Sequence, residues 1–310
     1  VKPERIEAEE VILVAGREIR ITRPGKILFP GDGIAKRELV EYYRRVSGKM
    51  VPLLRGRPLS FQRYPDGIEG KSFFQQAAPW YTPPWIHTVT VPKKGGRIRH
   101  ILCDDGATLV YLANQACITI HAWLSRVDHL EFPDMMVFDL DPSADDFGSV
   151  KQAARIMKAL LDELALPAFL KTTGSRGLHV VVPLKPQEDF DAVRAFARAV
   201  ATAAVERDPG LLTTEQRKDR REGRVFLDTN RNSHAQTAAP AYTVRARKGA
   251  PVSAPLDWDE LDHADLRPDG YTIRNLFERI ESRPDPWRDF REHAATLAGA
   301  RRKLEPHHAA

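Results

Sequence analysis

The sequence predicts an α/β protein of mixed strands and helices in layers, and three observations carry that prediction. Residues 135–140, 168–171, 178–182 and 224–227 are short apolar runs of strand length, bounded by turn-forming residues. Residues 150–164 and 190–205 lie between those runs and place their apolar side chains on one side, as helices on a buried layer do. The two kinds of element mix along the chain rather than segregating into blocks, which argues against a bundle or a sandwich.

The first half follows the same reading. Residues 11–14 and 18–22 are strands of a hairpin turned at Ala15-Gly16. Leu39, Tyr43, Val46 and Met50 recur at helical spacing, so residues 36–54 form an amphipathic helix. Strand-like pieces follow at 59–61 and 73–75. Pro79, Trp80, Tyr81, Pro83, Pro84 and Trp85 make a loop too rich in proline to be regular. Residues 86–91 and 97–102 are two strands joined at Gly95-Gly96. Residues 108–115 are helical and 118–123 extended. Beyond Tyr271 come helices separated by Pro284 and Pro286, then a frayed tail around Pro306. No internal repeat or low-complexity tract is found.

Composition narrows the function. The 310 residues are 42% hydrophobic and 29% charged, which suits a globular chain with a substantial core. No apolar run is long enough to span a bilayer, and no secretory signal is present, so no membrane role is expected. Cys103 and Cys117 have neither metal-site spacing nor a disulfide pattern, and small buried side chains in a reducing cytoplasm are expected. The chain opens at Val1, which suggests a piece of a longer polypeptide. The net charge of +5 is concentrated in patches. They fall at Lys93, Lys94, Arg97 and Arg99, at Arg217, Lys218, Arg220, Arg221 and Arg224, and at Arg245, Arg247 and Lys248. Patches of that kind suit a phosphate-bearing partner, although any one of them also reads as a solvated face.

The sharpest local signal is Asp139-Leu140-Asp141 at the end of an apolar strand. A period of two puts both carboxylates on one face while Leu140 enters the other layer. Close carboxylates repel unless a cation lies between them, and a divalent cation with a preference for hard oxygen ligands is the economical answer. Residues 224–228 repeat the pattern, an apolar strand ending in Asp228. Three such acids suit two cations, one at a nucleophile and one at a leaving pyrophosphate. Between them lie Ser175, Arg176 and His179 on a turn with Gly174 and Gly177, whose amides and side chains suit anionic oxygens. Tyr242-x-x-Arg245 adds a further guanidinium. Taken singly, Ser175 reads as a turn residue, His179 as a core histidine and Arg245 as a surface charge. Taken together they describe phosphoryl transfer.

Those residues resemble a known family. Asp139-Leu-Asp141, Ser175-x-x-x-His179 and Asp228 look like the three motifs of the archaeo-eukaryotic primase superfamily, and more narrowly the polymerase domain of bacterial ATP-dependent DNA ligase D. The similarity runs from about Thr22 to about Tyr271 and includes Lys26-Ile-Leu-Phe-Pro30, Phe73-Phe74, Gly177-Leu-His179 and Tyr242-x-x-Arg245. It implies a mixed-sheet primase-polymerase fold, one catalytic domain over 1–310. Within it, residues 1–134 would form a β-rich N-terminal module, 135–270 an RNA-recognition-like palm and 271–310 a helical tail. Asp139, Asp141 and Asp228 would be metal ligands, with Mn²⁺ favoured over Mg²⁺. His121, Ser175, Arg176, His179, Arg221 and Arg245 would bind the nucleotide. Lys26 and Lys36 would hold a downstream 5′ phosphate, Phe74 would stack on the template, and Arg63 would lie near template or nucleotide. Relatives often carry Lys where this chain has Arg176, which exchanges a point charge for a planar fork.

The activity implied is filling of gaps and extension of 3′ ends with dNTPs or rNTPs during non-homologous end joining. The partners implied are gapped or 3′-overhang DNA, Ku, and the ligase and nuclease modules of a parent chain, in a bacterial cytoplasm and at the nucleoid during repair. Two other classes compete. A metal-dependent phosphohydrolase shares the carboxylates and arginines, but Walker and His-Glu-x-x-His patterns are missing. A non-catalytic nucleic-acid-binding module explains the basic patches and Phe74, but not three aspartates at strand ends.

Overall fold

The computed structural model describes residues 9–304 and divides them into two compact units. The first takes the chain up to Ala122 and then Ala239–Pro251 and Thr272–Arg274. The second takes Trp123–Ala238, Val252–Tyr271 and the chain from Asn275 onward.

The first unit opens with the hairpin of β1 (Glu10–Val14) and β2 (Arg17–Ile21). Its turn needs two positive φ angles, supplied by Ala15 at 50° and Gly16 at 75°. A short pair follows, β3 (Ile27–Phe29) with β4 (Ile34–Ala35). The helix α1 covers Lys36–Leu54 and buries Leu39, Tyr43, Val46 and Met50, the face expected from their spacing. Strands β5 (Leu59–Arg63) and β6 (Phe73–Gln75) pair antiparallel. A second hairpin joins β7 (Thr88–Lys93) to β8 (Gly96–Ile101). Helix α2 (Gly106–Asn114) starts two residues before the expected 108, because the Asp105 side chain accepts the Thr108 amide at 2.8 Å and extends the N-terminus. Strand β9 (Cys117–Trp123) then pairs with β5. Cys103 and Cys117 are free thiols buried in this unit, as their sequence context suggested.

The second unit is built on one six-stranded sheet. Its strands are β10 (Met135–Asp141), β11 (Phe169–Thr172), β12 (Leu178–Pro183), β13 (Leu212–Thr213), β14 (Val225–Asp228) and, after the short β15 (Thr237–Ala238) outside it, β16 (Pro255–Leu256). They lie in the order β13-β14-β10-β12-β11-β16, antiparallel except for β13 with β14. Two helices, α3 (Phe147–Glu163) and α4 (Phe190–Arg207), bury their apolar sides in one core with the sheet. That core takes Met136, Phe138 and Leu140 from β10, Leu178, Val180 and Val182 from β12, and Val225 and Leu227 from β14. The intervening residues of each strand therefore face the other way. Asp146 and Asp189 cap α3 and α4, accepting the amides of Ser149 at 3.2 Å and Ala192 at 2.8 Å.

Beyond Tyr271 the chain forms α5 (Leu276–Ser282) and α6 (Ala298–Leu304), with Pro284 and Pro286 between them as their placement suggested. Val1 and the tail around Pro306 lie outside the described residues. Trp287 stacks on Phe290 with ring centroids 4.8 Å apart and donates its indole N–H to the Leu170 carbonyl at 2.9 Å, tying the segment to β11. Among the described residues, no helix is long and apolar enough to cross a membrane.

One buried ion pair pins this C-terminal segment. Glu260 is 1% exposed, and its carboxylate accepts from both Nε and Nη2 of Arg279, from Tyr271 Oη and from the Asp257 amide. Burial alone pushes the carboxyl upward, but the Arg279 guanidinium more than offsets it and the carboxyl sits below its ordinary value. A lowered folded-state value stabilises the protein above the unfolded-state value and loses that contribution as pH falls through the folded one. Glu260→Ala leaves a buried guanidinium uncompensated and should cost about 3–5 kcal/mol near neutral pH. Glu260→Gln should flatten the acid limb of stability below about pH 4.5, the ordinary value for the residue. Denaturant titrations across pH check both. An unaltered acid limb in Glu260→Gln contradicts the assignment.

Candidate active site

The site begins with strand register. Asp139 on β10 sits opposite Asp228 on β14 and opposite His179 on β12, and His179 in turn sits opposite Lys171 on β11. Residues directly opposed in a sheet share a face. Asp228, Asp139, His179 and Lys171 therefore form a row across four strands, on the face away from the α3 and α4 core. Asp141 lies two residues further along β10 on that same face.

The row is wired through its side chains. Lys171, 2% exposed, places Nζ 2.7 Å from His179 Nδ1 and donates to Ser253 Oγ at 2.7 Å. Ser253 passes its own hydroxyl to the Thr172 carbonyl at 2.7 Å. An ammonium only donates, so His179 Nδ1 is the acceptor and Nε2 carries the proton. Nε2 lies 3.3 Å from Asp139 Oδ1. His179 is thus both a core histidine, 4% exposed, and a member of the acidic row.

The carboxylates are under tension. Asp141 is pushed up to about 6, first by burial and then by the Asp139 carboxylate, with Arg176 and Arg221 pulling the other way. Asp139 ends below the ordinary range: burial opposes ionisation, and the His179 imidazole, Arg231 and Lys171 overcome it. Its Oδ1 is buried and accepts no hydrogen bond of good geometry. An orphaned carboxylate oxygen beside a carboxyl that resists ionisation is what a cation would relieve, so the donor set fits a hard divalent ion. Among the described residues, no three His, Cys, Asp or Glu side chains converge tightly enough to enclose an ion by themselves. Mg²⁺ is commonly held by one or two carboxylates and completes its shell with substrate and water oxygens.

The turn before β12 differs in one respect from the sequence-based expectation. The Thr173 hydroxyl already accepts the amides of Ser175 at 3.2 Å and Gly177 at 3.1 Å, so these two are not turned toward an anion. The Ser175 and Arg176 side chains remain as the turn's polar groups. Gly177 is required by close approach: a Cβ there would lie 2.1 Å from the Leu140 carbonyl oxygen on β10. Asp228 accepts the Asn230 amide at 2.8 Å through Oδ1. Arg221 lies over the Phe226 ring at 4.0 Å, with Nε bound to the Glu215 carbonyl and Nη2 to the Gln216 carbonyl.

The other expected residues belong to the first unit and are described within it. Phe74 on β6 is 51% exposed, with its ring edge against His121 of β9 at 5.5 Å. Arg245 follows Thr243, whose hydroxyl receives the Ile120 amide at 3.0 Å beside His121. Tyr43 Oη reinforces that placement, receiving the Val244 amide at 3.1 Å and donating to the Ile118 carbonyl at 2.8 Å. Arg63 spends its guanidinium on protein groups: the Gln115 carbonyl, Gln75 Oε1 and Tyr81 Oη. It braces the aromatic loop in this state. Lys26 and Lys36 are joined through the backbone, the Lys36 amide donating to the Lys26 carbonyl at 2.8 Å. Lys26 pairs with exposed Asp66 at 2.9 Å, whereas Lys36 is 6% exposed and donates to the Thr22 carbonyl at 2.6 Å.

With the geometry in place, comparison with known proteins is decisive. Residues 35–287 match the family described as LigD, primase-polymerase domain. The chain belongs to that family. It is 33% identical over 288 residues to the multifunctional non-homologous end joining protein LigD of Pseudomonas aeruginosa, covering 92% of this chain and 34% of that protein. It is 31% identical over 275 residues to the bifunctional LigD of Bacillus subtilis, covering 88% of this chain and 44% of the relative. It therefore spans less than half of either relative. Among solved structures, the polymerase domain of Mycobacterium tuberculosis ligase D in complex with DNA superposes with a TM-score of 0.85 at 29% identity, over 89% of this chain and 99% of that one. The mixed α/β fold expected from the motifs is the fold of that LigD polymerase domain.

Sequence reasoning missed Lys171. A lone lysine ending an apolar strand reads as a surface charge, and the available signal was its distance of eight residues from His179 across a tight turn, which makes them antiparallel partners. If Lys171 fixes the His179 tautomer, Lys171→Met should release Nδ1 to take up a proton and alter the ring's tautomer signature in ¹⁵N NMR. Lys171→Arg should preserve it. Identical His179 ring shifts in wild type and Lys171→Met, at a pH where both are folded, would show that the tautomer is set elsewhere.

Proposed function

We propose that this chain is a metal-dependent nucleotidyltransferase, a polymerase that extends 3′ ends and fills short gaps in DNA during non-homologous end joining. The observation that carries the reading is the row Asp228–Asp139–His179 with Asp141 beside it, in a chain of the LigD primase-polymerase family. In this reading residues 1–310 act as one catalytic domain, with the two units contributing different contacts.

The reaction is attack of a primer 3′ hydroxyl on the α-phosphorus of a nucleoside triphosphate, with one P–O bond formed and pyrophosphate leaving. Asp139, Asp141 and Asp228 would hold divalent cations, with Mn²⁺ preferred to Mg²⁺. Bound there, the cations supply charge neutralisation on the triphosphate and make the attacking hydroxyl easier to deprotonate. His179 presents Nε2–H, with Nδ1 held by Lys171, as a donor for a phosphate oxygen. Arg176 and Arg221, which already draw the Asp141 carboxyl downward, offer guanidinium forks to the same triphosphate. Ser175, His121 and Arg245 complete the nucleotide contacts, and both dNTPs and rNTPs are accepted.

Template contact falls to Phe74, whose half-exposed ring suits stacking on a base. Lys26 and Lys36 bind the 5′ phosphate on the far side of a gap, Lys26 exchanging Asp66 for that dianion. Arg63 acts beside the template by holding the aromatic loop. The relatives' names place them in end joining, and the M. tuberculosis domain was solved with DNA. By extension, Ku and the ligase and nuclease modules of a longer protein are the partners here, in the bacterial cytoplasm and at the nucleoid during repair.

Primer extension on gapped DNA, with the downstream end carrying either a 5′ phosphate or a 5′ hydroxyl, tests this. Asp139→Ala and Asp141→Ala should each reduce extension about a thousandfold or more, since losing a metal ligand costs several kcal/mol of transition-state stabilisation. Wild type should favour the 5′-phosphorylated gap, and Lys26→Ala should weaken that preference. Near-normal extension by a folded Asp139→Ala, Asp141→Ala double variant would end the metal-centre reading.

A further inference from the structure

A second basic site lies at the β13–β14 edge of the same sheet, on the α4 side. Helix α4 and the segments following β13 and β14 enclose a cavity of about 150 Å³. Arg194 and Arg198, one helical turn apart on α4, form one wall together with Thr202. Thr214, Gln216, Thr229 and Asn230 form the opposite wall, and Phe226 and Leu227 lie alongside. The lining therefore holds two guanidiniums and five neutral hydroxyl or amide side chains, and no carboxylate.

Neither guanidinium is neutralised. Among the described residues, Arg194 and Arg198 form no ion pair and no hydrogen bond, and Arg194 Nε is buried away from water without an acceptor. Most other arginines of this unit are committed: Arg155 to Asp262, Arg207 to Glu163, Arg224 to Glu222, Arg279 to Glu260, Arg301 to Glu188. A buried donor without an acceptor carries a standing desolvation penalty. Two of its kind of charge, with hydroxyl and amide donors facing them, suit a tetrahedral oxyanion, and a cation would be repelled.

The pocket takes in the stretch of chain next to Asp228. Thr229 and Asn230 directly follow Asp228, and the Asn230 amide is bound to that carboxylate. Phe226, which lines the pocket, carries Arg221 on its ring, and Arg221 bears on Asp141. We propose that the Arg194–Arg198 pocket binds a backbone phosphodiester of the DNA strand whose 3′ end is extended at the Asp139–Asp141–Asp228 site. The proposal rests on the polymerase reading. A phosphodiester presents two anionic oxygens to a pair of forks and continues as a chain past the site, whereas a free phosphate would have to be supplied separately.

Binding of labelled primer–template DNA, followed by anisotropy over a range of salt concentrations, tests the pocket. Arg194→Gln with Arg198→Gln should weaken binding about tenfold at low salt. It should also make the log–log salt dependence shallower by about 0.7–0.9, the loss of one phosphate contact. Arg198→Gln alone, at an exposed position that the fold does not depend on, should move both quantities in the same direction. An unchanged slope and affinity in the double variant overturns the proposal. So does loss of thermal stabilisation by inorganic pyrophosphate with DNA binding intact, since the pocket then serves a free anion. Failure of wild type to extend primers sinks the polymerase reading instead, and the salt slope reads the pocket independently of it.

Discussion

The site depends on the register of four antiparallel strands. Asp228, Asp139, His179 and Lys171 meet only because β14, β10, β12 and β11 pair with Asp139 opposite both Asp228 and His179, and His179 opposite Lys171. What holds that register is the other face. Met136, Phe138, Leu140, Leu178, Val180, Val182, Val225 and Leu227 all enter the core beneath α3 and α4. Slipping one strand by a single residue would turn its apolar set outward and its polar set into the core. The hydrophobic pattern thus fixes the chemistry without touching it, and Gly177 adds a check, since its turn packs against the Leu140 carbonyl too closely for any side chain.

Charge then decides what this face can hold. Asp139 is flanked by the Asp228 carboxylate on one side and the His179 imidazole on the other, with Lys171 behind the imidazole. Lys171 occupies Nδ1 of the ring and leaves Nε2 facing Asp139. The remaining mismatch, a buried Asp139 oxygen without a hydrogen bond and an Asp141 carboxyl pushed up to about 6, is relieved when positive charge arrives. Arginines bear on this pole, Arg176 and Arg221 both drawing the Asp141 carboxyl downward. An acidic centre within a basic rim is the arrangement expected where metal ions and polyphosphate meet.

Much of this was legible in the sequence. Residues 36–54 were readable as one helix because four apolar residues keep its spacing, and Asp139 with Asp141 was readable because period two puts them on one face. Boundaries of α2 and α3 shifted where Asp105 and Asp146 cap, a local hydrogen bond that periodicity does not register. Strands of two residues, such as β13 and β16, are too short to leave a pattern. The chain's return to the first unit over Ala239–Pro251 was invisible, since Tyr43 and Thr243 hold it through bonds spanning some two hundred positions of sequence. Lys171 was missed because its partners are His179, across the turn on β12, and Ser253. Two of the turn amides, those of Ser175 and Gly177, were misjudged because the Thr173 hydroxyl, a side chain, takes them.

The central claim is that the acidic row joins a nucleotide to a 3′ hydroxyl rather than hydrolysing it. The most direct measurement is the product balance of wild type given primed DNA, a nucleoside triphosphate and Mn²⁺. The account predicts one pyrophosphate for each nucleotide added to the primer, and loss of both together in Asp228→Asn. Release of orthophosphate without primer growth would contradict it and identify a phosphohydrolase.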